Sequence, residues 1–147
     1  MPVCRTYLVA DLFFNLVYRI DGNAVGLTLW DTSGQEDYDQ LRNNVYSGAR
    51  VVIICFLIEA TPTLDSIQQK WIPEVRERCP ATRYIVVGIE PDGAYRTLRS
   101  DITRGNRLAR EVDAQYYIQC NLESGAGVDD VFEAVSLSAT VSVGLRS

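Results

Sequence analysis

Apolar and polar residues change rhythm several times along this 147-residue chain, and each change marks an element. From Leu12 the pattern reads as a strand, then the turn Asp21-Gly22-Asn23, then a second strand. In that second strand Val25, Leu27 and Leu29 alternate with Gly26, Thr28 and Trp30. A period of two with an Asp-Gly turn ahead of it predicts a β-hairpin with one covered face. The run "VVIICFLI", Val51 to Ile58, is unbroken and β-branched, as expected of a strand buried on both sides. Thr61 and Pro62 then fit the cap and first turn of a helix whose apolar face carries Leu64, Ile67, Trp71 and Val75. Pro73 falls inside that helix and is expected to kink it or loosen its last turns. "YIVVG", Tyr84 to Gly88, is a further buried strand. Thr103 is the expected cap of a short helix carrying Leu108, Ala109 and Val112, and "QYYIQ" follows as a strand. Val128, Val131, Phe132 and Val135 have the i, i+3, i+4, i+7 spacing of a packed helix face. Strands and helices alternate after the hairpin, and parallel strands need such crossovers. The pattern therefore predicts an α/β fold with a mostly parallel sheet in one domain spanning 1–147, with 1–11 left unassigned and 139–147 read as a tail. Ligands of such folds sit beyond the carboxyl ends of the strands, which directs attention to the loops after Trp30, Leu57, Gly88 and Gln119.

Composition narrows the chemistry. A net charge of −5 gives no reason to expect nucleic acid or an anionic membrane as partner. There is no histidine, and Cys4, Cys55, Cys79 and Cys120 lie far apart with no CxxC pair, so a zinc site is not expected and scattered cytosolic thiols are. Cys55 sits in an apolar run and reads as core. The first residues lack a basic start and a small-residue cleavage site, so no signal peptide is expected. "VVIICFLI" is too short to span a bilayer. "SVGLRS" offers neither a prenylation cysteine nor a polybasic stretch, so no lipid anchor is expected. The expected location is cytoplasmic. Lys70 is the only lysine in the chain.

That lysine bears on the stretch "DGNAVGLTLWDTSGQE", Asp21 to Glu36, whose first half superficially imitates a phosphate-binding loop. Such a loop needs glycines spaced so that consecutive N–H groups turn inward, a lysine to reach the outer phosphates, and a helix whose N-terminus faces the anion. Gly22 and Gly26 are one residue too close, Leu27 stands at the lysine position, and the segment runs straight into "LWDT" with no room for a helix. The hairpin is the better reading.

The second half carries a resemblance. "WDTSGQEDYDQLR", at the end of a predicted strand, resembles the second switch of Rho-family small GTPases. "DGNAV" resembles the family's hairpin. "VVIICFLIEATPTLDSIQQKWIPEVRERCPATRYIVVG", with its Trp-x-Pro-Glu-Val and Cys-Pro pieces, is similar to the family's fourth strand, third helix and fifth strand. "LAREVDAQYYIQC" and "GVDDVFEAV" resemble its closing elements. The likeness runs from about Leu12 to Val135 and implies a three-layer fold like that of P-loop NTPases of the small-GTPase class. Position by position it implies that Asp31 holds Mg2+ through water, that the Gly34 amide meets the γ-phosphate, and that Gln35 orients the attacking water. It further implies that Asp92 and Asn121 contribute to binding GTP or GDP, and that Asp37, Tyr38, Leu41 and Arg42 face Rho regulators or effectors. The structural alternative is local: Asp31 can cap the switch helix, while Tyr38 and Leu41 can pack nearby.

Departures from the family pattern fall on the nucleotide site. Its first strand, phosphate loop and first helix are missing or replaced, with "VCRTYLV" the only candidate for the strand's place. An ungapped reading places Val9 at the Mg2+-binding threonine of the first switch, with Thr6 close by. The guanine-reading motif appears as "IEPD", with Glu90 in place of its lysine. The Ser-Ala piece appears as Asn121-Leu122. Each charge-assisted hydrogen bond of a phosphate cradle is worth roughly 1.5–3 kcal/mol, so losing four or five removes on the order of 10 kcal/mol, about seven decades of affinity if additive. The sequence thus leads to a Rho-like signalling protein with nucleotide binding and hydrolysis lost or severely weakened, a pseudoGTPase that binds proteins through its switch-like surface. The alternative is a GTP-hydrolysing switch represented by a truncated or spliced product.

Overall fold

The computed structural model describes residues 13–30, 46, 48–58, 65–91 and 99–144. Strand β1, Phe13–Ile20, and strand β2, Asn23–Trp30, form an antiparallel hairpin in which Ile20 faces Asn23 and Phe13 faces Trp30. Asp21 and Gly22 both take positive φ, 50° and 81°. This is the pairing that a tight two-residue turn demands when it must follow the right-handed twist of its strands. Along β2, exposure alternates as the sequence predicts, with Val25, Leu27 and Leu29 on the covered face. On the outer face Thr28 donates a hydrogen bond to the Asn15 amide oxygen directly opposite, at 3.1 Å.

Strands β3 (Val51–Leu57), β4 (Arg83–Glu90) and β5 (Tyr116–Asn121) form a parallel sheet in that order. β4 and β5 each run two residues beyond the boundaries expected from sequence, so the loops that could hold a ligand begin after Glu90 and Asn121. The interior residues of β3 and β4 are buried on both faces, as their unbroken apolar runs require.

Each face of the sheet has its own core. Val52, Ile54 and Phe56 of β3 and Tyr84 and Val86 of β4 pack with Ile67, Trp71, Ile72, Val75, Leu108 and Val112. The opposite face sets Ile53, Cys55, Ile85, Val87, Ile89 and Cys120 against Val131 and Ala134, with Leu29 of the hairpin at its margin. Two helical segments cover the first face: α1, Ile72–Arg78, and α2, Arg99–Glu111. The second is covered by α3, Val128–Gly144, which runs on through 139–144, part of the segment expected as a tail. The result is the expected three-layer α/β arrangement.

Two local expectations need correction. Thr103 does not cap α2, because that helix already begins at Arg99 and Thr103 lies within it. Pro73 does not loosen the last turns of its helix; the irregularity lies on its N-terminal side. A wide π-helical turn, Ile67–Trp71, precedes α1, and the Ile72 N–H donates to the Ile67 carbonyl five residues back. Proline lacks an N–H and its ring clashes with the carbonyl four residues earlier in a regular helix; the widened turn lets Pro73 sit in the first turn of α1 instead. The expected cap, Thr61-Pro62, lies outside the described residues, as does Leu64. Ile67, Trp71 and Val75 do share the buried face.

Candidate functional site

Parallel strands deliver their carboxyl ends to one rim, and here the rim is built by Glu90 at the end of β4 and Asn121 at the end of β5. The two residues stand opposite each other in the strand register. The Asn121 amide nitrogen donates to the Glu90 carboxylate at 3.1 Å. Its amide oxygen accepts the Ser124 N–H at 2.9 Å. The Asn121 backbone closes the same turn: its N–H donates to the Ala126 carbonyl and its carbonyl accepts the Gly125 N–H, both at 2.9 Å. Asn121 therefore ties the β5–α3 turn to the neighbouring strand through both ends of its amide. This is ordinary chemistry for an asparagine at a strand end, where the side chain replaces missing backbone partners.

Behind the rim lies Cys120, whose thiol is raised above its ordinary value of 9.0, first by burial and then by the negative charge of Glu90. Cys79, after α1, is likewise raised, mainly by burial and also by Glu74, with a hydrogen bond from Thr82 acting the other way. Both are buried and read as packed thiols, as is Cys55. Among the described residues no group of His, Cys, Asp and Glu is arranged to hold a metal ion.

The sole lysine is remote from this rim in role as well as in sequence. Its ammonium lies 4.8 Å from the centre of the Trp71 ring, a cation–π contact on the helical flank. The rim's polar face thus presents a carboxylate and an amide that is hydrogen-bonded at both ends.

Of the residues singled out from sequence, Asn121 falls within the described structure. Asp31, Gly34, Gln35, Asp37, Tyr38, Leu41, Arg42 and Asp92 lie outside the described residues, as do Val9, Thr6 and Cys4. Asp31 directly follows Trp30, the last residue of β2. The Glu90–Asn121 link was not legible in sequence, because the residues are 31 positions apart and only the strand register brings them together.

The sequence profile of the Ras family matches residues 8–140. The GTP-binding protein rho2 of Schizosaccharomyces pombe is 36% identical over 152 residues, covering 91% of this chain and 74% of its own length. The GTP-binding protein RHO1 of Candida albicans is 36% identical over 141 residues, covering 87% of this chain and 71% of its own. The Rho-related GTP-binding protein RhoB of Homo sapiens is 34% identical over 150 residues, covering 95% and 74% respectively.

The chain is a Rho-like member of the Ras family.

Membership accounts for the order of elements after the hairpin and for the parallel sheet with helices on both faces. Within this small-GTPase framework the Glu90–Asn121 pair occupies the rim where β4 and β5 end. No helix among the described residues is long and apolar enough to cross a membrane.

Proposed function

We propose that this Rho-like chain acts in cytoplasmic signalling as a protein-interaction module, with guanine-nucleotide binding and GTP hydrolysis lost or severely weakened. The observation that carries the reading is the commitment of its one lysine to the Trp71 ring. A triphosphate carries several negative charges, and its recognition rests on cations and inward-facing amides. The rim supports the same reading. Glu90 adds negative charge, and the Asn121 amide is already hydrogen-bonded at both ends. Among the described residues this donor set does not fit a guanine nucleotide with its Mg2+, so no hydrolytic step is assigned to Gln35 or Asp31.

The interaction surface in this reading is the segment that follows β2. Asp37, Tyr38, Leu41 and Arg42 combine an aromatic, an aliphatic and both signs of charge within six positions, a composition suited to the anchor residues of a protein interface. Partners would be regulators or effectors of Rho proteins. The test is a binding titration of a Rho-binding effector domain against the purified chain without added nucleotide. Saturable binding is expected, weakened at least about tenfold by Tyr38→Ala or Leu41→Ala, the loss typical of an interface anchor. Equal binding by wild type and both variants would contradict the assignment.

A second reading keeps the GTP switch, because Asp31, Gly34 and Gln35 all stand in the "DTSGQ" run. It requires a phosphate-loop sequence encoded upstream of Met1 in the transcript. Sequencing the 5′ end of the message decides it: an upstream loop supports the switch, and its absence removes this reading.

A further inference from the structure

On the α3 face of the sheet, Leu29, Ile53, Cys55, Val87, Ile89, Cys120, Val131 and Phe132 are among the residues that surround a partly open cavity of about 160 Å3. Leu122 lines it too and is 56% exposed, so the apolar lining continues to the protein surface. A cavity of roughly 150 Å3 with aliphatic walls stays dry and accepts a benzene-sized group. This one therefore has room for a single leucine- or phenylalanine-sized side chain. Among the described residues no lysine or arginine lines it.

The edge of α3 beside the cavity carries carboxylates. Val128, Val131 and Phe132 turn one face of α3 into the cavity wall, while Asp129, Asp130 and Glu133 of the same turns are exposed beside it. The hairpin abuts this shoulder, because the Tyr18 hydroxyl donates to the Asp129 carbonyl at 3.2 Å. The phenol of Tyr18 is raised by desolvation and then by Asp129, Glu133 and Asp130, so the field of these carboxylates reaches across to the hairpin. Asp129 and Asp130 also complement the N-terminus of α3, which accounts for acids there. Glu133, past the first turn, extends the negative charge along the cavity's edge.

We infer that this cavity is a second docking surface, taking one apolar anchor of a cationic amphipathic protein segment whose basic residues meet the acidic shoulder Asp129, Asp130 and Glu133. The apolar anchor supplies affinity by filling the hole, and the lysines or arginines around it supply orientation and rate of encounter. The inference does not depend on the assignment made to Asp37, Tyr38, Leu41 and Arg42.

The test is fluorescence anisotropy of the full chain with a labelled synthetic helix of about 16 residues, leucines on one face and lysines on the other. Controls carry glutamate for lysine or alanine for leucine. Binding by the Leu/Lys peptide is expected, at least about tenfold tighter than by either control. Asp129→Lys with Glu133→Lys, both exposed positions, is expected to abolish the preference for lysine over glutamate while leaving thermal unfolding cooperative. Cys55 and Cys120 line the cavity and serve as reporters: the peptide should slow their alkylation, mapped by mass spectrometry, and leave Cys79 unaffected. The inference is overturned by absence of binding, by equal binding of the Leu/Lys and Leu/Glu peptides, or by binding without protection of Cys120. It is also overturned if both thiols are protected in the free chain and become reactive on deletion of residues 1–9, which would assign the cavity to the chain's own N-terminal segment.

Discussion

At the residue scale, Asn121 and Cys120 carry opposite lessons about what a strand end can hold. Asn121 is half-buried and its amide bridges Glu90 and the Ser124 N–H. Replacing it with alanine removes two hydrogen bonds at a partly solvated site, where water can take over. A loss of about 0.5–1.5 kcal/mol in urea unfolding is expected, rather than the larger penalty of an orphaned buried group. Cys120 instead makes stability depend on pH. Its folded-state value is raised above 9.0, as is that of Cys79. The thiol forms are therefore favoured by folding. That contribution is fully present below the unfolded-state value and is lost as pH climbs from there through the higher folded-state value. Stability measured by urea unfolding should fall above about pH 9, and the Cys79→Ala/Cys120→Ala double variant should show a shallower fall despite its lower starting stability. Of this, only the packing of Cys55 was legible, from its apolar run; that of Cys79 and Cys120 was not. The Glu90–Asn121 link was not, since nothing in either sequence neighbourhood names the other.

At the scale of elements, periodicity was a reliable guide wherever packing and local preference agree. The hairpin, the three parallel strands and the buried faces of the helices follow from alternation, unbroken apolar runs and helical spacing. The departures have identifiable causes. Thr103 has the chemistry of a cap, but α2 already extends back to Arg99, and apolar spacing does not mark a first turn made of Arg99, Ser100 and Asp101. Pro73 signals a break, and it takes the form of the π turn at Ile67–Trp71, with Ile67, Trp71 and Val75 all still buried. Gly105 is a third case. Glycine weakens a helix by about 1 kcal/mol relative to alanine, so Gly105→Ala would be stabilising on propensity alone. A Cβ placed there runs into the ring of Tyr117 on β5. That ring is also stacked against Phe56 at 6.1 Å between centroids, and its hydroxyl accepts a hydrogen bond from Gln119 at 3.0 Å. Overpacking of this kind costs about 1–3 kcal/mol and outweighs the propensity gain. Gly105→Ala should therefore lower the urea midpoint, and Gly105→Ala combined with Tyr117→Ala should show a smaller added loss than the two single losses summed. A midpoint raised by Gly105→Ala would refute the close approach of α2 to β5.

At the scale of the whole molecule, two cores on opposite faces of one sheet make the central strand β4 the structural keystone. Ile85 is fully buried within the α3-side core. Ile85→Ala should destabilise the chain by about 2–5 kcal/mol in urea unfolding, a large share of the total for a domain of this size. The same large-scale view separates family from activity. Residues 8–140 match the Ras family because most of that signal lies in strands and helices whose faces must pack. Nucleotide chemistry depends on few positions in loops, and the proposed loss of binding rests on such positions: Leu27 in a hairpin, Glu90 on the rim, and a single lysine placed over an indole. Fold was legible because many residues encode it redundantly. The site was legible chiefly as a set of substitutions, and its Asp31–Arg42 stretch lies outside the described residues. The most direct test is calorimetric titration of the purified chain with GDP and with GTP, each with and without Mg2+. The account predicts no saturable binding, or affinity weaker than about 10 μM, that Mg2+ does not improve. Nanomolar, Mg2+-dependent binding of either nucleotide would contradict it.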